Sequence, residues 1–221
     1  MHMRVIDLTM RITPSMKVFP GSPRPSFIPW SRFDSHGYDS EAVFMSTHTG
    51  THVDAPSHFG PGLASIDRIP ASRLVCSAVL IKVKKRSNEL VEPEDFASEQ
   101  IRKGDVVVIA TGWEKHVTKS NYMTENPGLS GRAATYLAGK KVNAVGIDGP
   151  SIDAGSDGKF TAHNILLPRN VLAVENLCNV SKITTNRFTL VLSPLKLGGA
   201  TGSPARALAL VRKGLYYYTL L

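Results

Sequence analysis

Apolar residues recur along the chain in short runs rich in β-branched side chains, each bounded by turn-forming residues, and this pattern predicts strands. The runs are Met3–Leu8, Ala42–His48, Leu74–Val83, Val106–Thr111, Ala144–Asp148, Val171–Leu177, Phe188–Leu192 and Ala205–Val211. Two segments carry helix signals instead. Pro93 opens a polar-amphipathic run that ends before Gly104, and Ser130 is placed to cap a helix through Leu137 that Gly139 terminates. Each of these is followed by an apolar strand, which indicates α/β character, while consecutive strands on either side predict antiparallel or mixed pairing near the edges. The expected architecture is a mixed β-sheet with flanking helices. Val106–Ile109 is continuously apolar and Ala144–Ile147 nearly so, which places these strands in the centre of the sheet with both faces covered. Catalytic groups are then expected at strand ends or in adjoining loops.

Composition narrows the classes of function. With 221 residues, 42% hydrophobic and 20% charged, the chain has the balance of a globular protein and the length of one large domain, expected over residues 1–221. No apolar run is long enough for a signal-peptide core or a membrane span, so a cytoplasmic protein is expected. The two cysteines, Cys76 and Cys178, are far apart in strand-like contexts and are expected to be reduced core residues. A net charge of +8 could serve a nucleic-acid partner, but apart from Lys82, Lys84, Lys85 and Arg86 and the pair Lys140-Lys141 the basic residues are dispersed, and no nucleic-acid-binding motif accompanies them. A small-molecule substrate is the expected partner.

The chemistry concentrates in one segment. Three of the seven histidines fall between positions 48 and 58, in His48-Thr-Gly-Thr-His52-Val-Asp54-Ala-Pro-Ser-His58. If the segment is extended, its period of two puts His48, Gly50, His52 and Asp54 on one face, so that two imidazoles and a carboxylate converge across a glycine gap. Such ligands suit zinc, manganese or iron(II), and three of them leave a position open for catalysis. A helical pairing of His48 with His52, as in the zincin motif, is opposed by Gly50, two threonines and Pro56, and the glutamate of that motif is absent. His58 is the candidate proton-transfer residue. Two later residues could complete the site: His163, otherwise a turn residue, and Glu175, a carboxylate inside the apolar run Val171–Leu177, where burial is costly without a cation.

Rival chemistries lack their motifs. No GxSxG elbow supports a serine nucleophile, and Gly128-Leu-Ser130-Gly131 falls one residue short. No dinucleotide fingerprint or phosphate loop occurs, and Gly198–Gly202 is read as a tight turn between strands. Arg206 beside it is read either as an anchor for an acidic substrate group or as a core ion pair.

At this point the sequence resembles the metal-dependent cyclase family, which includes the bacterial kynurenine formamidases, through the signature HxGTHxDxPxH, met without a mismatch from His48 to His58. The likeness continues through Ser65-Ile66-Asp67, Thr111-Gly112-Trp113, Asn126-Pro127-Gly128-Leu129-Ser130, Gly146-Ile147-Asp148, Glu175-Asn176-Leu177 and Gly202-Ser203-Pro204-Ala205-Arg206. The resemblance implies an α/β fold of the swivelling β/β/α type, assembled as a homodimer or homotetramer. It implies one or two divalent metals per chain, zinc in the first instance: His48, His52 and Asp54 bind the first, and Asp54 and Glu175 can bridge to a second, held by His163, which some members of the family lack. His58 would donate and accept the proton. Where the formamidase pattern has a substrate-contacting tryptophan before Pro-Gly-Asp, this chain reads Val18-Phe19-Pro20-Gly21-Ser22-Pro23, which gives that role to Phe19. The implied activity is hydrolysis of a small amide, an N-formyl aryl amide such as N-formylkynurenine. The alternatives are opening of an isatin-like cyclic amide or a lactone, and, in another class, a non-catalytic metal- or ligand-binding protein.

Overall fold

The computed structural model describes residues 3–212, so residues 1–2 and 213–221 of the expected domain lie outside it. Its strands are β1 (Met3–Asp7), β2 (Ser26–Ser31), β3 (Ser40–Phe44), β4 (His52–Asp54), β5 (Val75–Lys82), β6 (Leu90–Val91), β7 (Val106–Ala110), β8 (Gly128–Leu129), β9 (Ala144–Ile147), β10 (Leu172–Glu175), β11 (Arg187–Pro194) and β12 (Gly202–Arg212). The α-helices are α1 (Phe33–His36), α2 (Gly131–Gly139) and α3 (Thr161–Leu166). Eight strands form one mixed sheet in the order β1-β12-β11-β5-β7-β9-β10-β4, and β4 pairs again with β12. That last pairing closes the sheet into a barrel, so the open edges expected from the sequence are mostly absent. The α/β class with a mixed sheet holds, with β5, β7, β9 and β10 parallel and the remaining pairs antiparallel.

The central strands are where the apolar runs put them. Along β7, Val106 and Val108 join the apolar cluster inside the barrel, whereas Val107 and Ile109 join a second cluster with Ala133, Leu137, Ala162 and Leu166 of α2 and α3. The period of two thus feeds alternate residues to two cores, and both faces are covered.

Several elements differ from expectation for identifiable reasons. The run from Pro93 forms only a 3₁₀ turn, Pro93–Phe96. Its buried apolar anchors, Phe96 and Ile101, are five residues apart, a spacing that cannot share one helix face. The strand expected over Ala42–His48 is β3, which ends at Phe44 and pairs with the unpredicted β2 in a separate two-stranded sheet. Pro29 argues against a strand in sequence, and the register is irregular between Pro29 and Ser31. The short α3 has too few turns to show periodicity. Gly139 is the last residue of α2, and the chain turns away through Lys141 at φ +56°. Cys76 and Cys178 are free but only half-buried.

Ser130 performs its predicted role, its Oγ accepting from Ala133 N at 3.1 Å and donating to Glu92 Oε2 at 2.6 Å. Ser130→Ala is expected to cost about 1 kcal/mol. Calorimetry should register this as a fall in Tm of roughly 2–4 °C, and an unchanged Tm would remove the cap from the account of α2.

Candidate metal centre

Strand β4 is only three residues long, yet it is hydrogen-bonded on both sides. His52 lies opposite Glu175 of β10, and Asp54 lies opposite Ala173 of β10 and Gly202 of β12. Residues directly opposite in antiparallel strands present side chains to the same face, so His52, Asp54 and Glu175 emerge together. Val53 and Val174 point the other way, into the barrel core. The polar face is therefore the outer one, covered by α3 and by the 3₁₀ turn Pro56–His58.

His48 reaches this face by a different route from the one its spacing suggests. The chain turns at Gly50, with φ +63°, and extends only from His52, so the four-residue face expected over His48–Asp54 is not a continuous strand. The turn nonetheless brings His48 Nδ1 to 2.6 Å from Asp54 Oδ1, with its Nε2 3.0 Å from Thr201 Oγ1. The ring occupies space that a side chain at Gly202 would take, since a Cβ there would lie 2.7 Å from His48 Cε1.

The remaining groups close in around the carboxylates. His52 Nε2 lies 3.3 Å from Asp54 Oδ1 and 3.4 Å from Glu175 Oε2, while His163 Nε2 lies 3.3 Å from Asp54 Oδ2 and 3.2 Å from Glu175 Oε1. Each ring is oriented by its other nitrogen: His52 Nδ1 faces Gly50 O at 2.8 Å, and His163 Nδ1 pairs with Asp153. Two sets of possible ligands result, His48-Asp54-His58 and His52-Asp54-Glu175, with Asp54 common to both. His58 stacks on His48 with ring centroids 4.0 Å apart. All seven residues singled out in the sequence, Phe19, His48, His52, Asp54, His58, His163 and Glu175, line one pocket of about 320 Å³.

The donor set fits a divalent cation. Asp54 and Glu175 are 1% and 5% exposed, and their ion-pair partners among the described residues are histidines alone. Burial would push His52 down, but the charges of Asp54 and Glu175 raise it to about 9. Burial likewise opposes protonation of His163, and hydrogen bonds to Asp153, Asp54 and Glu175 carry it well above the usual range. Asp54 is held well below its ordinary value against its own burial by the His52 charge and by hydrogen bonds from the three surrounding imidazoles. Protons on histidine thus supply the positive charge that a metal would supply. His58 differs: burial, with the neighbouring imidazoles adding to it, lowers it to about 4 in spite of Asp54.

Residues that sequence reasoning did not single out complete the site. Asp153 also accepts from the backbone of Ala162 and His163, which ties the start of α3 to the imidazole it carries. Phe160 precedes α3 at φ +53° and packs 6.2 Å from Phe19 and 5.6 Å from Phe59, and Phe59 stacks on His163 at 4.8 Å. Only their proximity to His58 and His163 in sequence hinted at them. Arg206 is outside the site, in an exposed pair with Asp7 at 2.6 Å, which is neither of the roles expected for it.

The sequence model of the Cyclase family matches residues 6–154. The chain belongs to this family. It is 30% identical to an isatin hydrolase of Roseibium aggregatum over 80% of this chain and 79% of that protein, and 27% identical to a kynurenine formamidase of Bacillus cereus over 91% and 95%. The structure of isatin hydrolase A from Labrenzia aggregata bound to benzyl benzoate superposes with a TM-score of 0.87 at 28% identity, covering 96% of this chain and 94% of that one. A structure described as a potential metal-dependent hydrolase with cyclase activity gives a TM-score of 0.80 at 30% identity, over 96% and 100%. Among the described residues no helix is long and apolar enough to cross a membrane.

The raised value of His52 has a definite sign. Its contribution to the stability of the chelated protein is complete below the unfolded value of 6.5 and is lost as pH rises through about 9. The Tm of metal-free protein should therefore fall between pH 7 and pH 10, and His52→Gln should fall less steeply. Equal slopes for the two proteins in calorimetry would remove His52 from the linkage.

Proposed function

We propose that this chain is a metal-dependent hydrolase of small aryl amides, with an N-formyl aryl amide such as N-formylkynurenine as the leading substrate. The observation that carries the reading is a cation-demanding cluster of imidazoles and carboxylates at the base of a pocket walled by Phe19, Phe59 and Phe160. An aryl ring fits the aromatic wall while its amide meets the polar floor. A cyclic amide of the isatin type is the second substrate class, favoured by the superposition on isatin hydrolase A.

His48, His52 and Asp54 would hold a first divalent ion, and His163 and Glu175, with Asp54, a second. Zinc suits these nitrogen and oxygen donors, as do manganese and iron(II). A bound ion of this kind supplies Lewis acidity toward a carbonyl and lowers the pKa of water. Gly50 O and Asp153 fix the tautomers of His52 and His163, so that each presents Nε2 to the carboxylates. His58, neutral at pH 7, accepts a proton from the attacking water. Its imidazolium would then lie against the ring of His48, an unfavourable placement that favours passing the proton to the leaving nitrogen.

We further propose that the chain functions as a homo-oligomer through the β2–β3 hairpin. Phe27, Ile28, Trp30, Phe33, Tyr38, Val43 and Phe44 there are 41–77% exposed. Phe27 and Val43 lie opposite each other and share one face of the hairpin, while their neighbours Ile28 and Phe44 point to the other, so both faces carry uncovered apolar side chains. A second copy of the same hairpin offers a matching surface.

Metal analysis together with turnover of N-formylkynurenine, formyl anilides, isatin and lactones tests the main reading. His58→Ala should keep its metal and lose about 10²–10⁴-fold in kcat. Stoichiometric metal with no turnover of any panel member would leave a binding protein, and protein that takes up no metal would end the reading. In sedimentation, Trp30→Asp should shift the assembly toward monomer, and a monomeric wild type would exclude the hairpin interface.

A further inference from the structure

Asn176 follows Glu175 immediately, lines the same pocket and is only 4% exposed. Its backbone is left-handed, with φ +55°. Asparagine tolerates that region better than most residues, but it is sparsely populated, and a buried position held there needs restraint from its surroundings. The restraint is explicit. Asn176 N donates to Gly149 O at 2.7 Å, and its carbonyl oxygen accepts from Thr51 Oγ1 at 2.6 Å. Thr51 Oγ1 in turn accepts from Met10 N at 2.8 Å.

The side chain is restrained as well. Oδ1 accepts from the Tyr122 hydroxyl at 3.0 Å. Tyr122 is 1% exposed, and its backbone carbonyl is anchored by Trp113 Nε1 at 2.9 Å. Burial, with the nearby carboxylates adding to it, pushes the phenol above its ordinary range, so it stays protonated and serves as the donor. With Oδ1 engaged, the two N–H bonds of Nδ2 are left, and they make no hydrogen bond to the described residues. A donor held on a restrained backbone in the wall of a pocket, beside the histidine-carboxylate cluster, is the arrangement that stabilises developing negative charge on oxygen.

We propose that the Asn176 side-chain amide donates a hydrogen bond to the carbonyl oxygen of the substrate under attack, and that Tyr122 is the positioning residue that turns the amide toward it. The proposal rests on the amide-hydrolase reading and deepens it. As water adds, the carbonyl π pair moves to that oxygen, and the N–H bond strengthens as its charge grows. When the carbon–nitrogen bond breaks, the pair returns and the carbonyl re-forms, with Asn176 unchanged.

Glycine is the informative replacement, because it accepts φ +55° and deletes only the amide. Asn176→Gly and Asn176→Asp should retain wild-type metal content and lose about 10²–10³-fold in kcat, with KM changing much less. Tyr122→Phe should lose less than either, since the amide stays present but free to turn. Wild-type kcat in metal-loaded Asn176→Gly would overturn the proposal while leaving the hydrolase reading intact. Calorimetric titration on the His58→Ala background, with isatin and with indoline, which keeps the ring and lacks both carbonyls, reads the same contact with turnover suppressed. The preference for isatin should fall about tenfold in Asn176→Gly, the loss of roughly one hydrogen bond. That result in a wild type that hydrolyses nothing would sink the hydrolase reading and keep Asn176 as a carbonyl donor, whereas an unchanged preference would remove it.

Discussion

Two carboxylates buried side by side impose the constraint on which the rest of this structure depends. Asp54 and Glu175 lie on adjacent strands, nearly closed to solvent, with imidazoles as their ion-pair partners. Uncompensated, such a pair would be strongly destabilising. The surrounding architecture satisfies it through groups drawn from separate parts of the chain: His48 from a turn, His52 from β4 and His163 from α3. Each of these rings has a further partner, Thr201, Gly50 and Asp153 respectively, that prevents it from rotating away. Tolerance of the acidic pair is thus distributed over residues 48 to 201.

Much of the centre was legible because it is local. His52 and Asp54 share a face through the period of a strand, and an acidic residue inside Val171–Leu177 stands out against its apolar neighbours. The buried runs of β7 and β9 and the Ser130 cap were readable for the same reason. His48 shows where local reasoning stops. It does join Asp54, but through the left-handed turn at Gly50 and the space beside Gly202, a contact that no spacing rule contains. Asp153, Thr201, Phe59 and Phe160 were hidden because their importance arises only when loops distant in sequence meet. The three residues that β12 adds before its apolar run, Gly202–Pro204, could not be recognised as strand, since their partner is the three-residue β4.

Three arginines hold the fold together away from the pocket. Arg187 pairs with Asp105, Arg206 with Asp7, and Arg73 donates to Asn143 and Asn170 across the ends of β9 and β10. These guanidinium groups tie strands and loops together at points remote from the pocket, and the pocket itself is dominated by aromatic rings and the histidine-carboxylate cluster. Recognition there depends on an apolar wall meeting a charged floor, a division of labour suited to a ligand with one aromatic and one polar end.

The double pairing of β4 also sets an order of events during synthesis. Its partner in β10 leaves the ribosome more than a hundred residues after His52, and its second partner, Gly202–Pro204, near the end of the described chain. Until both have emerged, the strand carrying His52 and Asp54 lacks one or both of its hydrogen-bonded neighbours, and the ring of His48 lacks the surface against which it rests. A nascent chain therefore displays histidines and carboxylates without a formed cage. The cage of imidazoles and carboxylates is thus complete only after the chain has been made as far as Pro204.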